Sequence, residues 1–304
     1  MTTDPTKALT RYMNLRTDFA FKRLFGTEEN KHVLIRFLNL LFEPELQIKE
    51  VSFKTKEVLP HHQRRRKVVY DVYCTTDSNR HIIVEMQQSR QVHFLNRALV
   101  YTAMGMIHQA KRGKWDYKTQ PVYGVFLTNF TVDGCDPKLI TRAGISDLET
   151  SALLTSAQRW FFVNLSMMTK GSLDECETDL ERWIYCVKNM EKFKEMPKGY
   201  DSLTPLFEAA ETASLSEEDV VLYSQSEQRL YDEELAREEY GRDREEIGRK
   251  EGRKEGRKEG RKEGRKEGLL EAAINIARNL KKGGMTLKQI MEYTGLSAEA
   301  VASL

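Results

Sequence analysis

Residues 68–88 read VVYDVYCTTDSNRHIIVEMQQ, and this stretch decides the fold. Two runs rich in β-branched and aromatic residues, Val68–Thr75 and Ile82–Gln88, flank the polar turn residues 76–79. Such runs joined by a short polar turn are typical of a β-hairpin. We therefore predict two neighbouring antiparallel strands at this point of the chain.

Helical and strand patterns alternate on both sides of the hairpin. Apolar residues between Asp18 and Phe42 follow helical spacing, which is broken near Gly26. Thr27 is the expected cap of the second helix, and Pro44 is expected to end it. The other expected elements are strands at Ile48–Phe53, Pro121–Asn129 and Arg159–Leu165, and helices at about Gln91 to Arg112 and Ser172 to Lys194. This order predicts an α/β fold in which helices flank a mixed β-sheet.

Composition divides the chain into four parts. Residues 1–200 carry the alternating elements, and residues 201–247 form an acidic helical connector. Residues 248–268 form a GRKE repeat that is either a linker or a helix, and residues 269–304 form a small helical module. The last three parts predict a helical C-terminal extension.

The tandem repeat reads GRKE five times over residues 248–267 and closes on Gly268. In a helix each glycine costs about 1 kcal/mol relative to alanine, and here like charges recur four residues apart. We therefore expect weak helicity for the repeat by itself. Its excess of positive charge would let it hold DNA loosely. Alternatively, its small residues would let two helices approach closely, which makes a homo-oligomer through the C-terminal helical region possible.

Residues 269–304 have the spacing of a helix–turn–helix module. The first helix should end at Lys282, Thr286 should cap a helix over 287–293, and Ser297 should cap the last helix. DNA reading is one use of such a module. However, residues 297–304 contain no Arg, Lys, Asn or Gln. A packing or dimerising role is therefore an equal alternative.

The predicted hairpin carries an acid on each strand. If the strands pair in register, Asp71 and Glu85 lie side by side, with Gln87 one pleat further along. Two carboxylates that close repel each other unless a positive charge lies between them, and a hard divalent cation with oxygen ligands would supply it. Taken alone, the spacing is weak evidence for a metal site, because a lone aspartate in a β-strand is usually a solvated surface residue.

Several segments together resemble a known family. The stretches TDFAFKRLFG, VVYDVYC, HIIVEMQQS, FLNRALVYTAMGM and VYGVFLTNF occur in the order found in the Rpn group of the PD-(D/E)XK nuclease superfamily. The resemblance covers about residues 12 to 200. It implies a restriction-endonuclease-like core and a Mg²⁺-dependent DNA endonuclease, with other divalent cations possible, that takes part in recombination or transposition.

The resemblance assigns roles to individual positions. It makes Asp71 and Glu85 metal ligands and the main-chain carbonyl of Met86 a third oxygen ligand. Gln87 stands where the wider superfamily has lysine, so a mechanism that needs a cation there is in doubt. Gln87 is left to orient a water or a phosphate oxygen through hydrogen bonds. Asp18 matches an acid on the first helix and would support the metal shell.

Cations near these acids are candidate DNA contacts. The candidate phosphate contacts are Lys22, Arg64, Arg65, Arg66, Lys67 and Arg90. Lys22 lies four residues after Asp18, so a simple ion pair is the alternative. The basic run before the hairpin is either a phosphate dock or a solvated loop. The resemblance also suggests that Arg97 and Tyr101 point toward the site.

Composition limits the remaining function classes. Hydrophobic residues make up 40% of the chain, which is enough to form a buried core. The net charge is only +2, so only local clusters of charge can indicate nucleic-acid binding. No apolar run approaches the roughly 18–20 residues that span a bilayer. The first residues lack a signal-peptide pattern, and the four cysteines are scattered. We expect a cytoplasmic protein with reduced thiols and no membrane partner.

Two hypotheses follow from these patterns. The first is a metal-dependent DNA endonuclease built on Asp71, Glu85, Gln87 and Asp18. The second is a non-catalytic DNA-binding or assembly protein that keeps the nuclease fold. No third acidic motif points to a transposase of the DDE type.

Overall fold

A computed structural model describes residues 9–54, 57–58, 68–111 and 113–304. The chain divides into two compact units between Leu235 and Ala236. The first unit contains the hairpin and therefore the candidate site.

A mixed β-sheet forms the centre of the first unit. The strands are β1 (Val51–Phe53), β2 (Glu57–Val58), β3 (Val68–Val69), β4 (Val72–Thr76), β5 (His81–Gln87), β6 (Val122–Thr128), β7 (Ile140–Ser146) and β8 (Leu153–Asn164). Six of them lie in the order β1-β4-β5-β6-β8-β7, and β2 pairs with β3 separately. Strands β5, β6 and β8 run parallel, whereas the other pairs are antiparallel. The mixed sheet that the sequence predicts is confirmed.

Helices cover both faces of this sheet and continue to the C-terminus. The α-helices are α1 (Asp18–Phe25), α2 (Lys31–Phe42), α3 (Phe94–Ile107), α4 (Asp179–Asn189), α5 (Thr204–Ala210), α6 (Glu217–Lys282), α7 (Leu287–Thr294) and α8 (Ala298–Ala302). Short 3₁₀ turns occur at Leu165–Met167, Met190–Lys192, Asp201–Leu203 and Thr212–Ser214. None of the helices in the described residues has the length and apolarity needed to cross a bilayer.

Side chains alternate between the two faces of the sheet, as strand geometry requires. Val72, Ile82 and Val84 join the larger core, which includes buried residues of α1, α2, α4 and α5. Tyr73 and Ile83 face the opposite side, where they pack with residues of α3. The chain therefore buries β5 on both faces, which fixes the position of any side chain at its end.

The hairpin pairs in the register that brings the two acids together. Val72 lies opposite Val84, so the next pair along the ladder is Asp71 and Glu85. The expectation of one continuous strand over Val68–Thr75 is wrong, because regular pairing stops between β3 and β4. The reason is Tyr70, which is buried and donates a hydrogen bond of 2.9 Å to the main-chain oxygen of Tyr101.

Other element boundaries differ from expectation for local reasons. Helix α3 begins at Phe94 because His93 adopts a left-handed conformation with φ of 63°. Helix α4 begins only at Asp179, where the hydroxyl of Thr178 caps the main-chain N–H of Glu181. Thr27 does not cap α2, since the cap position is Asn30. Strand β7 was not expected, because it is an edge strand whose side chains are mostly half-buried or exposed.

Helix α6 contains the whole GRKE repeat. Within the chain the helix runs unbroken from Glu217 to Lys282, which is the second of the two alternatives for the repeat. The expectation of weak helicity concerns the repeat by itself and stays a prediction. At its start, Tyr223 is buried and its hydroxyl accepts a 2.7 Å hydrogen bond from the main-chain N–H of Asn14. Residues 217–235 thus pack as part of the first unit, which extends well past residue 200.

The second unit closes around a small apolar cluster. Ala277, Ile290, Leu296 and Val301 form its buried core. Thr286 forms a reciprocal capping box with Gln289, and Gly295 takes a left-handed conformation with φ of 69°. The hydroxyl of Ser297 caps the last helix. These caps confirm the predicted starts of α7 and α8, and α6 ends at Lys282 as expected.

Candidate active site

Asp71 and Glu85 are held together by each other's main chain. The main-chain N–H of Asp71 donates to Oε1 of Glu85 over 2.9 Å, and the N–H of Met86 donates to Oδ2 of Asp71 over 3.0 Å. Only 18% of the Asp71 side chain and 6% of the Glu85 side chain are exposed. The break between β3 and β4 makes this possible, because it frees the N–H of Asp71 from regular strand pairing.

The closeness of two buried acids changes their protonation. Burial raises the pKa of Asp71, although the N–H of Met86 and the cation of Lys22 oppose the shift. Burial and the charge of Asp71 raise the pKa of Glu85 to about 8. The cations near the pair therefore do not offset its burial and mutual repulsion.

Lys22 links the first helix to the hairpin acids. Its Nζ lies 2.7 Å from Oδ1 of Asp18 and 3.5 Å from Oδ1 of Asp71. Burial lowers the pKa of Lys22, but the two acids outweigh that effect and raise it overall. The i,i+4 ion pair considered from the sequence is present. It is not isolated, because the same lysine also contacts the hairpin.

Arg97 approaches the opposite side of the acid pair from α3. It donates to Oε1 of Gln87 over 3.1 Å and lies 3.6 Å from Oε2 of Glu85. The guanidinium also donates a 2.8 Å hydrogen bond to Oε1 of Gln91 and lies 4.9 Å from the centre of the Tyr101 ring. These two contacts fix its position. The acid pair thus lies between two cations, Lys22 and Arg97.

A comparison with known families gives a match over this part of the chain. The model of the PD-(D/E)XK nuclease family transposase matches residues 15–239, well over half of the chain. The chain belongs to the PD-(D/E)XK nuclease family transposases. No curated protein and no solved structure matches it. For a PD-(D/E)XK nuclease family transposase, the mixed sheet with flanking helices is the expected architecture, and a nuclease-like function follows at the level of the family.

The site of this PD-(D/E)XK nuclease family transposase suits a hard cation. Its donors are two buried carboxylates, and Mg²⁺ is usually bound through one or two carboxylates plus waters and phosphate oxygens. No cluster of three or more His, Cys, Asp or Glu side chains that could hold a metal occurs among the described residues. A metal here would therefore depend on Asp71, Glu85 and main-chain or water oxygens. The raised pKa of Glu85 fits such a ligand, because a divalent cation would offset the effects of burial and of the Asp71 charge that raise it.

The predicted DNA contacts fall into three groups. Arg64, Arg65, Arg66 and Lys67 lie outside the described residues. Lys22 lies at the acid pair. Arg90 is exposed and bonds to Asp133, so a phosphate would have to compete with that acid.

One contact of the site could not be found from the sequence. The hydroxyl of Ser89 donates to Oε2 of Glu233 on α6 over 2.9 Å. The main-chain oxygen of Ser89 in turn accepts a 3.1 Å hydrogen bond from the side-chain amide of Gln87. Helix α6 therefore supports the end of β5 through a residue far away in the chain, and no local pattern signals such a contact.

Proposed function

We propose that this PD-(D/E)XK nuclease family transposase is a Mg²⁺-dependent DNA endonuclease that hydrolyses phosphodiester bonds. The observation that carries the proposal is the pair of buried carboxylates, Asp71 and Glu85, which face each other at the end of the sheet with a raised pKa at Glu85. Bound Mg²⁺ supplies Lewis-acid chemistry, because it lowers the pKa of a bound water and neutralises charge on phosphate oxygens.

The residues around the pair divide the remaining work. Asp71 and Glu85 would hold the metal, with the main-chain carbonyl of Met86 as a further oxygen ligand. Gln87 would orient a water or a phosphate oxygen with its amide, which Ser89 and Arg97 already hold in place. Asp18 would act indirectly, since 61% of its side chain is exposed and it pairs with Lys22 rather than with the hairpin.

A neutral glutamine at position 87 leaves the charge to neighbouring residues. Developing negative charge on the phosphate needs a fixed cation nearby, because such preorganised charges stabilise a transition state. Arg97 contacts both Gln87 and Glu85 and is the best-placed cation for this role. Lys22 lies on the opposite side of the acid pair and would contact the same phosphate or its neighbour.

The deciding experiment is cleavage of supercoiled plasmid by the purified full-length chain with Mg²⁺ and with excess chelator. Asp71→Asn keeps the size of the side chain but removes its charge. Asp77→Asn is a matched control, since Asp77 lies in the turn of the same hairpin and accepts a hydrogen bond from the main-chain N–H of Lys49 that asparagine can keep. We expect cutting by the wild type and Asp77→Asn in Mg²⁺ alone, and none by Asp71→Asn.

Two results would contradict the nuclease proposal. Cutting by Asp71→Asn at the wild-type rate would remove the hairpin acids from the chemistry. Cutting that persists in chelator would remove the metal. Thermal unfolding gives an independent readout, because Mg²⁺ that binds the folded state raises its stability by mass action. We expect that stabilisation in the wild type and not in Asp71→Asn.

A non-catalytic DNA-binding or assembly role is the second candidate. It is favoured by the two cations, Lys22 and Arg97, which already approach the acids to 3.5 Å and 3.6 Å and so partly balance their charge. Exposed apolar residues on α6, among them Tyr231, Tyr240 and Ile247, also favour assembly. DNA binding without Mg²⁺-dependent cutting would support this role, and light scattering over a range of concentrations would test for self-association.

A further inference from the structure

A cleft of about 360 Å³ lies between α1 and the first turns of α6. Its α1 side includes Asp18, Phe19, Lys22 and Arg23, and its α6 side includes Asp219, Leu222, Gln225, Ser226 and Arg229. The described contacts explain why it keeps its shape. Ser226 accepts a 3.1 Å hydrogen bond from the main-chain N–H of Phe19, and Arg23 pairs with Asp219 at 3.0 Å.

The lining of the cleft offers three kinds of group to a nucleotide, beside the carboxylates of Asp18 and Asp219, which pair with Lys22 and Arg23. Phe19 and Leu222 offer apolar surface, and the half-exposed Leu222 is 51% accessible. Gln225 offers an amide that can both donate and accept. Lys22 and Arg229 offer positive charge. Arg229 forms no ion pair with any residue in the described part of the chain, so its charge is available to an anionic ligand.

The position of Arg229 places that charge near the acid pair. Ser226, Arg229 and Glu233 lie three and four residues apart, so they share one side of α6. Ser226 contacts Phe19 on α1, and Glu233 contacts Ser89 beyond the end of β5. Arg229 therefore lies on α6 between the residue that contacts α1 and the residue that contacts Ser89 after β5, and it lines the cleft. Lys22 belongs to both, since it lines the cleft and lies 3.5 Å from Asp71.

The size of the cleft selects among nucleic-acid ligands. Small-molecule sites have volumes of about 300–1,000 Å³, and a cleft at the lower end of that range suits one nucleotide. A paired base in a duplex cannot enter such a cavity unless it leaves the stack, which costs a few kcal/mol. A base that is already unpaired avoids this cost. Apolar surface for a base beside cations for phosphates is the usual arrangement of single-strand sites.

We propose that the α1–α6 cleft binds one unpaired nucleotide of the DNA strand that is cut at the neighbouring acid pair. This inference rests on the proposed nuclease function and narrows its substrate to DNA with a single-stranded segment at the cleavage position. Phe19 and Leu222 contact the base, Gln225 bonds to its edge, and Arg229 and Lys22 contact the phosphates on either side.

Equilibrium binding in chelator tests the cleft without relying on cleavage. The probes are a fluorescein-labelled single-stranded DNA, the same strand annealed to its complement, and an RNA of the same sequence, all at one fixed salt concentration. Fluorescence anisotropy gives the Kd of each. Arg229→Ala removes the available cation, and Gln225→Trp fills the cleft. Arg242→Ala, which removes an exposed cation elsewhere on α6, is the matched control.

We expect the wild type to bind the single-stranded DNA more tightly than the duplex. Arg229→Ala should weaken single-strand binding by about tenfold, because a hydrogen bond to a charged group contributes on that scale. Gln225→Trp should weaken it by about the same factor, because the larger side chain fills the cleft. Arg242→Ala should leave single-strand binding unchanged. Equal or tighter binding of the duplex, equal losses in Arg229→Ala and Arg242→Ala, or tighter binding of the RNA would each overturn the proposal. Absence of Mg²⁺-dependent cutting with this binding pattern intact would count against the nuclease function alone.

Discussion

Arg97 donates a hydrogen bond to the side-chain oxygen of Gln87 over 3.1 Å. A neutral amide and a cation from a different element thus stand together beside Glu85, where the wider PD-(D/E)XK superfamily places one lysine. Under the proposed nuclease function, the amide would orient a ligand and the guanidinium would supply charge, so β5 and α3 would divide the two functions of that lysine.

The first prediction concerns Arg97. Arg97→Ala should lower the single-turnover rate of DNA cleavage by about 10²-fold, because removing one preorganised group that stabilises transition-state charge has that effect. Arg97→Lys keeps the charge but loses the planar guanidinium that contacts Gln87 and Glu85 together, so it should retain part of the rate. Rapid-quench measurements at concentrations above the Kd of the protein–DNA complex would separate a slower cleavage step from weaker DNA binding. A wild-type rate in Arg97→Ala would show that the cation has no part in the chemistry.

The second prediction concerns the stability of the acid pair. Without metal, Glu85→Gln should raise the free energy of unfolding by about 1–2 kcal/mol at neutral pH, because the pKa of Glu85 is raised to about 8 in the folded state and folding at that pH must add a proton that glutamine does not need. Glutamine keeps an oxygen that can accept from the N–H of Asp71. Urea unfolding in chelator gives the value. A stability equal to or below that of the wild type would mean that Lys22 and Arg97 already compensate the repulsion.

The third prediction concerns Glu233, which acts on Gln87 only through Ser89. Glu233→Ala should lower kcat by about tenfold without weakening DNA binding, because loss of one positioning hydrogen bond has a small energetic effect. Glu233→Gln keeps an acceptor oxygen and should restore most of the rate. If both variants lose activity equally, the charge of Glu233 matters and the hydrogen bond does not. If both keep the wild-type rate, Glu233 has no positioning role.

The fourth prediction concerns the repeat. A Cβ added at any of its glycines would have no neighbouring atom within 4 Å, and every residue from 248 to 268 is exposed. The helix there rests on local terms alone, of which the ion pair between Glu246 and Lys250 at 2.6 Å is one. An excised peptide of these residues should show little helix by circular dichroism, and replacing its glycines by alanine should raise the helix content strongly. High helicity in the unmodified peptide would contradict this.

The sequence predicts those features that depend on neighbouring residues. The alternating apolar pattern of β4 and β5 fixes both the hairpin and the face of each side chain, so the closeness of Asp71 and Glu85 could be expected from spacing. The caps at Thr286 and Ser297 were equally local. By contrast, Tyr70 interrupts its strand because it bonds to Tyr101 on α3, and this partner is visible only once the fold is formed.

Features that depend on packing between residues far apart in the chain could not be predicted from the sequence, for the same reason. Edge strand β7 lacks an apolar face, so its pairing with β8 has no periodic signal. The contact between Ser89 and Glu233 joins segments 144 residues apart. The sequence left the repeat as either a linker or a helix, because propensity alone disfavours a helix there, whereas a helix already formed on both sides removes the cost of starting a new one.

The reciprocal bonds between the hairpin acids also have a consequence for folding fidelity. A slip of one residue between β4 and β5 would place Val84 or Met86 opposite Asp71, and the N–H groups of Asp71 and Met86 would lose their carboxylate acceptors. The two acids therefore stabilise the correct strand alignment, in addition to the metal-binding role proposed for them. A molecule that folds with misaligned strands loses its catalytic groups in the same step, so any nuclease activity is confined to correctly assembled chains.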